Sequence, residues 1–457
     1  MQNAAAAKGS VEIAKKEPTP VSWMATDPRQ PPQAYQEKSF VDLGTSGLAI
    51  SRYIDRSFHE REMKQMWSKV WQMACHEHEI PNIGDSIVYE IGELSFVVVR
   101  SSETTIKAYR NACLHRAMQL RSCDGHVTNL RCPFHGWTWD LEGAPVRVAE
   151  QWDFPQVDKE NLRLPEAQVA TWGGFVFINM DPDAPPLHEY IGNLSEHFKS
   201  APLEHRYVAA HVARIVPSNW KVAMEAFLES YHVSPTHPQS VTVAEYAETQ
   251  YDTYEHSPNI SRLLTISVAA SAPTTKAMSE QELADYVAKM TEREPVKVPA
   301  GSTFRATLAE QRRADVGQAL GIDVSHLSDV EMLDAVEYFV FPNFLPWHGY
   351  GLPIVYRFRP YQDHHDQCIL EVYLLAPRKL SEPAPKAAPC VWVQEGQLFS
   401  DIPQLGRLGV IFDQDYVNIV GMQKGMKATE KSEIILGHYQ ESRIRHYHKR
   451  IDDFLAK

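Results

Sequence analysis

Asn111-Ala112-Cys113-Leu114-His115-Arg116 and Cys132-Pro133-Phe134-His135-Gly136-Trp137 decide how this chain is read, with sixteen residues between His115 and Cys132. Each stretch offers one thiolate and one imidazole at short spacing. Two cysteines and two histidines can hold a pair of irons, the thiolates on one and the imidazoles on the other. Neutral imidazoles in place of two thiolates remove negative charge and raise the reduction potential. The same donors can also hold structural zinc, but zinc sites usually keep about two to four residues inside a cysteine pair. Here each pair mixes Cys with His, and one is Cys-x-His. The spacing favours a two-iron cluster on Cys113, His115, Cys132 and His135.

Around these pairs the chain reads as β-structure. Ser86-Ile87-Val88-Tyr89-Glu90 and Leu94-Ser95-Phe96-Val97-Val98-Val99 are short β-branched runs, and Ile91-Gly92-Glu93 between them suits a hairpin. Further short runs stand at Ile106–Arg110 and Gly174–Ile178, and the Pro/Asp-rich stretch 181–186 reads as a boundary. Residues 68–183 are therefore expected to form one small all-β domain. Residues 1–35, rich in Ala, Pro, Lys and Gln, are expected to be a flexible tail. Residues 36–67 are read as a helical segment that packs on the catalytic domain, with Met63, Met66 and Trp67 on one face.

A second set of donors follows. Trp220 to Tyr231 is a helix candidate that leads to His232-Val233-Ser234-Pro235-Thr236-His237. On a continuous helix, residues five apart diverge by about 140°. Pro235 disfavours helix at Ser234, so the helix is expected to end there and His237 to fold back beside His232 from a loop. Two histidines and one carboxylate make a facial triad that leaves positions open for O2 on Fe(II). Taken alone, this His-x4-His pair is weak evidence.

Both sets resemble the aromatic-ring-hydroxylating, Rieske-type non-haem iron oxygenases. The cysteine–histidine pairs are similar to their Rieske motif, and Asn219-Trp220-Lys221 through Tyr231-His232 to His237 is similar to their iron motif. Ala117 stands where these oxygenases usually have Gly. Cys123, between the ligand pairs, is read as structural. Ala226 and Glu229 stand where the family often has Asn and Asp. The resemblance implies that Glu229 bridges His135 of one subunit to His232 of its neighbour. The third ligand is sought in Phe412-Asp413-Gln414-Asp415-Tyr416. Asp415 matches the ligand position by its spacing to Gln423, and Asp413 is the alternative.

The resemblance also implies a fold and an activity. The fold class is α+β: a small all-β Rieske [2Fe–2S] domain plus a larger helix-grip catalytic domain, an antiparallel sheet with helices, over 184–457. The activity is that of an oxygenase component that inserts O2-derived oxygen into a small apolar, aromatic or polycyclic substrate by hydroxylation, dihydroxylation or O-demethylation. Its cofactors are the [2Fe–2S] cluster and a mononuclear Fe(II). No dinucleotide-binding Gly-x-Gly-x-x-Gly and no plant-type ferredoxin run are present, so electrons from NAD(P)H are expected through a separate reductase, with or without a ferredoxin. A homotrimer or a multiple of one is implied, because cluster and iron of one chain lie too far apart.

The later region is read as α+β too. Ser279-Glu280-Gln281-Glu282 is a capping box that opens a helix, Thr307–Leu320 and Glu430–Leu455 read as helices, and strands are expected at Tyr338–Phe341, Ile354–Arg359 and Cys368–Leu375. Residues 381–389 read as a loop, and 240–335 as a helical stretch that can act as a lid. The aromatic run Tyr338–Tyr350 suits either an apolar cavity or a core strand and turn. A net charge of −13 argues against nucleic-acid binding. Six cysteines in 457 residues make no disulfide scaffold. No run is long enough for a membrane span and the start lacks a signal-peptide core, so a cytoplasmic location is expected. Two other readings stay open: a Rieske electron carrier with an inactive second domain, and a zinc-stabilised ligand-binding module.

Overall fold

The computed structural model describes residues 20–269 and 278–456. The β-branched runs pair as their pattern dictates. Asp85–Ile91 and Leu94–Arg100 form a hairpin from Ser86↔Val99 to Ile91↔Leu94, turning through Gly92 at φ +57°. Among the described residues this hairpin sits in a seven-stranded sheet, in the order Gln72–His76, Phe175–Asn179, Glu166–Trp172, Ile106–Arg110, Leu94–Arg100, Asp85–Ile91, Gly125–His126. A small three-stranded sheet, Leu130–Arg131, Thr138–Trp139 and Pro145–Arg147, stands beside it. Between them Val97, Val99, Tyr109, Leu130, Trp137 and Trp139 form a separate core that also contains Cys113 and Cys132.

The larger half is built on an eight-stranded sheet, in the order Gln250–Thr253, Ile260–Thr265, Ala335–Val340, Phe344–His348, Ile354–Pro360, Cys368–Pro377, Arg206–Val216, Cys390–Trp392. All neighbours are antiparallel except the last strand, which runs parallel to Arg206–Val216. The sheet clasps the C-terminal helix Ser442–Leu455. Buried Arg443 reaches Glu337 at 3.1 Å and Ser261 at 3.1 Å, and Phe454 stacks on Phe341 at 5.6 Å. This is the expected α+β class, a small β domain followed by a sheet that grips a helix.

Apolar rings and a buried ionic network join the two sheets. Phe344 meets Phe175 and Phe177 at 5.0 and 5.2 Å. Arg357 donates to the Met73 carbonyl at 3.1 Å, to the Ala74 carbonyl, and to Glu371 at 2.7 Å. Glu371 also receives Arg359 at 3.2 Å and faces His211 at 3.3 Å. Burial alone would raise the Glu371 carboxyl, but the two guanidinium groups hold it well below its ordinary value.

The structure corrects several sequence expectations. Residues 1–19 of the expected tail lie outside the described residues, but residues 20–35 are packed: Met24 and Tyr35 are buried, and Arg29 pairs with Glu310 at 2.6 Å. Their apolar anchors are too sparse to show a period. The stretch 240–335 contains the strands Gln250–Thr253 and Ile260–Thr265 as well as the helices Glu280–Thr291 and Phe304–Leu320, so part of it is sheet rather than lid. Those strands carry a buried Asp252–Arg262 pair at 2.7 Å, and these charges mask the apolar pattern. Residues 270–277 of that stretch lie outside the described residues. The last helix starts at Ser442 rather than near Glu430. The helix from Trp220 ends at Glu225, not near Tyr231. Cys123, read as structural, is exposed.

Ala117 adopts φ +60°, the left-handed region where a Cβ is strained. Ala117→Gly is expected to stabilise the small β domain by about 1 kcal/mol. A rise in the thermal unfolding midpoint would show it; an unchanged or lower midpoint would refute the strain.

Candidate metal centres

The two cysteine–histidine pairs fold into matching tight loops. In the first, the Ala117 N–H donates to the Cys113 carbonyl at 2.9 Å and the Cys113 N–H to the Met118 carbonyl at 2.8 Å. In the second, the Gly136 N–H donates to the Cys132 carbonyl at 3.1 Å and the Cys132 N–H to the Trp137 carbonyl at 2.8 Å. Both loops need a positive φ four residues after the cysteine, met by Gly136 at +72° and by Ala117. Cys113 and Cys132 are 3% and 2% exposed. Burial raises the Cys113 thiol, and the neighbouring Cys132 adds to it.

The imidazoles lie against each other and against Trp137. His115 stacks on Trp137 at 4.9 Å and lies 4.7 Å from His135, which is exposed. The Nδ1 of His115 is buried without a hydrogen-bond partner among the described residues. An orphaned ring nitrogen of this kind is what a metal would take up. Two buried thiols and two neighbouring imidazoles, one half-buried and one exposed, fit a cluster held asymmetrically. Around the tip, Phe134 is 58% exposed, and Leu114 and Met118 are exposed as well.

The second centre brings together residues far apart in sequence. His232, His237 and Asp415 place ligand atoms within 4.8 Å of one another. Asp415 Oδ1 lies 2.8 Å from His237 Nε2 and 3.6 Å from His232 Nε2. His232 and His237 bracket the short helix Val233–Thr236. Pro235 thus sits inside a helical turn, contrary to expectation. In a first turn its missing N–H leaves no helical hydrogen bond unmade. One turn of helix brings His237 back beside His232, at 5.2 Å between ring centroids.

Each histidine is oriented from behind. His232 Nδ1 lies 2.6 Å from Glu229 Oε1, and Glu229 Oε2 accepts the His232 backbone N–H at 2.9 Å. His237 Nδ1 lies 2.8 Å from Gln414 Oε1. With Nδ1–H donated to these oxygens, both Nε2 atoms face Asp415, the arrangement that outer-shell partners impose on metal-binding histidines. Burial would lower the His232 imidazole, but hydrogen bonds to Asp415 and Glu229 outweigh it and raise it to about 10. A proton on His232 does here what a cation would do. Asp413, the alternative ligand, instead accepts the Phe399 N–H at 2.7 Å and the Ser400 N–H at 3.1 Å.

Asp415 is carried by the long helix Leu408–Ala428. Gln423 on that helix accepts the Asn219 N–H at 2.8 Å, and Asn418 donates to Thr236 at 2.9 Å. Sequence reasoning used Gln423 only as a spacing marker and missed Gln414 and Asn418, whose roles leave no local pattern. Phe227, five residues before His232, and Phe412, three before Asp415, pack on Tyr356 at 4.7 and 6.0 Å.

A profile described as the ring hydroxylating alpha subunit (catalytic domain) matches residues 199–457, and one described as the Rieske [2Fe-2S] domain matches residues 70–157. The chain belongs to the Rieske non-haem iron ring-hydroxylating oxygenase family, as an alpha subunit. It is 32% identical to the carnitine monooxygenase oxygenase subunit of Escherichia coli (strain K12) over 205 residues, 44% of this chain and 55% of that one. It is 32% identical to the biphenyl 2,3-dioxygenase subunit alpha of Rhodococcus jostii (strain RHA1) over 204 residues, 43% of this chain and 44% of that one. The matches thus span about half the length of these curated relatives. Two solved structures share the fold. A quaternary ammonium Rieske monooxygenase in complex with L-carnitine gives a TM-score of 0.63 at 18% identity, covering 90% of this chain and 96% of that one. Naphthalene 1,2-dioxygenase with indole bound gives 0.62 at 17% identity, covering 93% and 95%. The Rieske [2Fe–2S] cluster of this family member belongs to residues 70–157. Among the described residues no helix is long and apolar enough to cross a membrane.

Beneath the helix Trp220–Glu225 lies a buried polar network. Lys221 pairs with Glu62 at 2.8 Å, both fully buried. Glu225 accepts the Tyr53 hydroxyl at 3.0 Å and faces His448 Nε2 at 2.7 Å. Burial pushes the Glu225 carboxyl up to about 8, against the opposing pull of Tyr53 and Lys221. Between the ordinary carboxylate value and about 8 the folded protein therefore holds one more proton here than the unfolded chain, and stability falls as pH rises through that window. Glu225→Gln removes this dependence. Relative to wild type it is expected to gain up to about 1.4 kcal/mol per pH unit between about pH 5.5 and 7.5. Chemical denaturation of both proteins across that range checks it; parallel profiles would refute it.

Proposed function

We propose that this chain is the oxygenase component of a multicomponent Rieske system that inserts O2-derived oxygen into an apolar substrate. One observation carries the reading: His232, His237 and Asp415 converge in the same chain as a Rieske domain. In this reading Cys113, His115, Cys132 and His135 hold the cluster, His232, His237 and Asp415 hold a ferrous iron, residues 68–183 form the cluster domain and 184–457 the catalytic domain. The cluster would supply single electrons, and the iron would bind and activate O2. Electrons come from NAD(P)H through a separate reductase, with or without a ferredoxin.

The chain's own residues orient this chemistry. Glu229 and Gln414 fix the two imidazoles. Phe227, Tyr356 and Phe412 keep the near side of the site apolar and exclude water. The apolar lining supports an aromatic or otherwise apolar substrate, taken by hydroxylation, dihydroxylation or O-demethylation. The names of the relatives span both biphenyl and carnitine. The exposed ring of Phe134 at the cluster tip, and Tyr231, 59% exposed beside His232, support the packing of tip against iron site between neighbouring chains of a homotrimer or its multiple. In that assembly Glu229, already bound to His232, is the residue that meets His135 of the neighbour. A Rieske carrier with an inactive second domain would have no use for an intact triad.

Anaerobically purified protein is expected to hold about three irons and two acid-labile sulfides per chain. Asp415→Ala is expected to hold about two irons with an unchanged visible spectrum. Zinc without sulfide would overturn the assignment. Glu229→Ala is expected to keep the cluster spectrum while product formation per electron consumed falls about 10- to 100-fold. Full coupling in that variant would remove Glu229 from the electron path.

A further inference from the structure

The two imidazoles of the proposed iron site are held from behind by different kinds of group. Glu229, behind His232, is a carboxylate and offers only oxygen. Gln414, behind His237, is an amide and can offer either oxygen or N–H. The difference decides whether His237 can bind a metal. A neutral imidazole carries one N–H. With the Gln414 oxygen facing Nδ1, the hydrogen sits there and the Nε2 lone pair points into the site. With the Gln414 N–H facing Nδ1, the hydrogen sits on Nε2 and the metal-side lone pair is gone.

Nothing in Gln414 itself chooses between the two. The oxygen and the N–H group of a primary amide have nearly the same shape, so the surrounding hydrogen bonds make the choice. A second donor reaches the same oxygen. Gln239 Nε2 lies 2.8 Å from Gln414 Oε1, the same distance as His237 Nδ1. Two N–H groups converge on one oxygen, which has a lone pair for each. Reversal of Gln414 alone would set N–H against N–H on both sides.

The backbone holds Gln239 in this place. It stands two residues after His237, and the Ser240 N–H donates to the His237 carbonyl at 2.8 Å, which closes a turn around it. Tyr286, on the helix Glu280–Thr291, donates its hydroxyl to the Gln239 carbonyl at 3.1 Å. A helix distant in sequence therefore bears on the residue that sets the Gln414 amide.

We propose that Gln239 is a positioning residue of the iron site: its amide N–H keeps the Gln414 oxygen turned to His237, and so keeps the Nε2 lone pair of His237 free for the metal. Gln239 touches neither metal nor substrate and acts through Gln414. The proposal deepens the oxygenase reading and rests on it for the iron.

The test reads Fe(II) binding rather than turnover. The mononuclear iron is removed from the full-length, cluster-containing protein under anaerobic conditions, and Fe(II) is returned in competition with a chromophoric chelator. The cluster's visible spectrum reports that each variant is folded. Gln239→Glu offers only acceptors and so demands the N–H of Gln414. It is expected to weaken Fe(II) binding about 10- to 100-fold, the usual size of an outer-shell loss. Gln239→Lys offers only donors and is expected to stay within about threefold of wild type. Simple charge gives the opposite order, because a nearby negative charge attracts Fe(II) and a positive one repels it. A merely structural role weakens both alike. Gln414→Glu has no N–H to turn. In that background Gln239→Leu is expected to change the affinity by less than about twofold, against about tenfold in the wild-type background. Affinities ordered by charge, equal losses in Gln239→Glu and Gln239→Lys, or the same loss from Gln239→Leu in both backgrounds would overturn the proposal. The iron site is judged separately. Fe(II) held by the wild type and lost in Asp415→Ala keeps the site even where the Gln239 variants are silent. A wild type that takes up no Fe(II) rejects the site, and the role of Gln239 with it.

Discussion

The carboxylate of Asp415 between two imidazoles is the contact on which the catalytic half turns. His232 and His237 come from a single short turn, but Asp415 arrives on a separate long helix. Three donors from two separate elements must be held with their ligand atoms within 4.8 Å of one another. The fold meets this with hydrogen bonds that leave little freedom. Gln423 fastens the long helix to the start of the helix Trp220–Glu225, Asn418 ties it to Thr236, and Gln414 reaches back to His237. Asp415 and Glu229 raise the His232 imidazole to about 10, and a metal would take the place of the proton they favour.

A site of this kind needs a stiff base, and burial of charge supplies it. Lys221–Glu62 and the Glu225–Tyr53–His448 group lie under the helix Trp220–Glu225 and tie it to the segment 53–62 and to the helix Ser442–Leu455. Arg357, Glu371 and His211 do the same between the two sheets. Such buried networks add little net stability over an apolar core, but breaking one partner is costly. Their effect is to define one arrangement of helix on sheet, and so one position for the ligands.

What could be read in advance follows from how local each signal is. The cysteine–histidine loops are short, self-contained hairpins, so their donors stand out in the linear chain. The His232/His237 pair was legible as a pair, yet its geometry was misjudged. Pro235 was taken to end a helix, whereas it lies within the single turn of a short new one, because the helix before it already stops at Glu225. The strands Gln250–Thr253 and Ile260–Thr265 escaped notice because Asp252 and Arg262 sit in the sheet interior as a buried pair, which breaks the alternation that marks a strand. The packing of residues 20–35 was equally invisible, since Tyr35 and Met24 are isolated anchors without a period. Gln414 and Asn418 act only across the tertiary fold, and no window of sequence contains their partners.

The two loops at the cluster show how much backbone geometry a metal motif dictates. Both close with the same pair of hydrogen bonds, and both place the fourth residue after the cysteine in the left-handed region. One has the residue suited to that conformation, Gly136; the other has Ala117. The loop keeps its shape despite the misfit because the Cys113 N–H and carbonyl are each bound within it, and because Cys113 is buried in the same small core as Trp137 and Leu130. Strain carried at one residue is thus balanced by packing several residues away. In both loops, then, the backbone hydrogen bonds and the small core, more than the residue at the turn, set the direction in which His115 and His135 face.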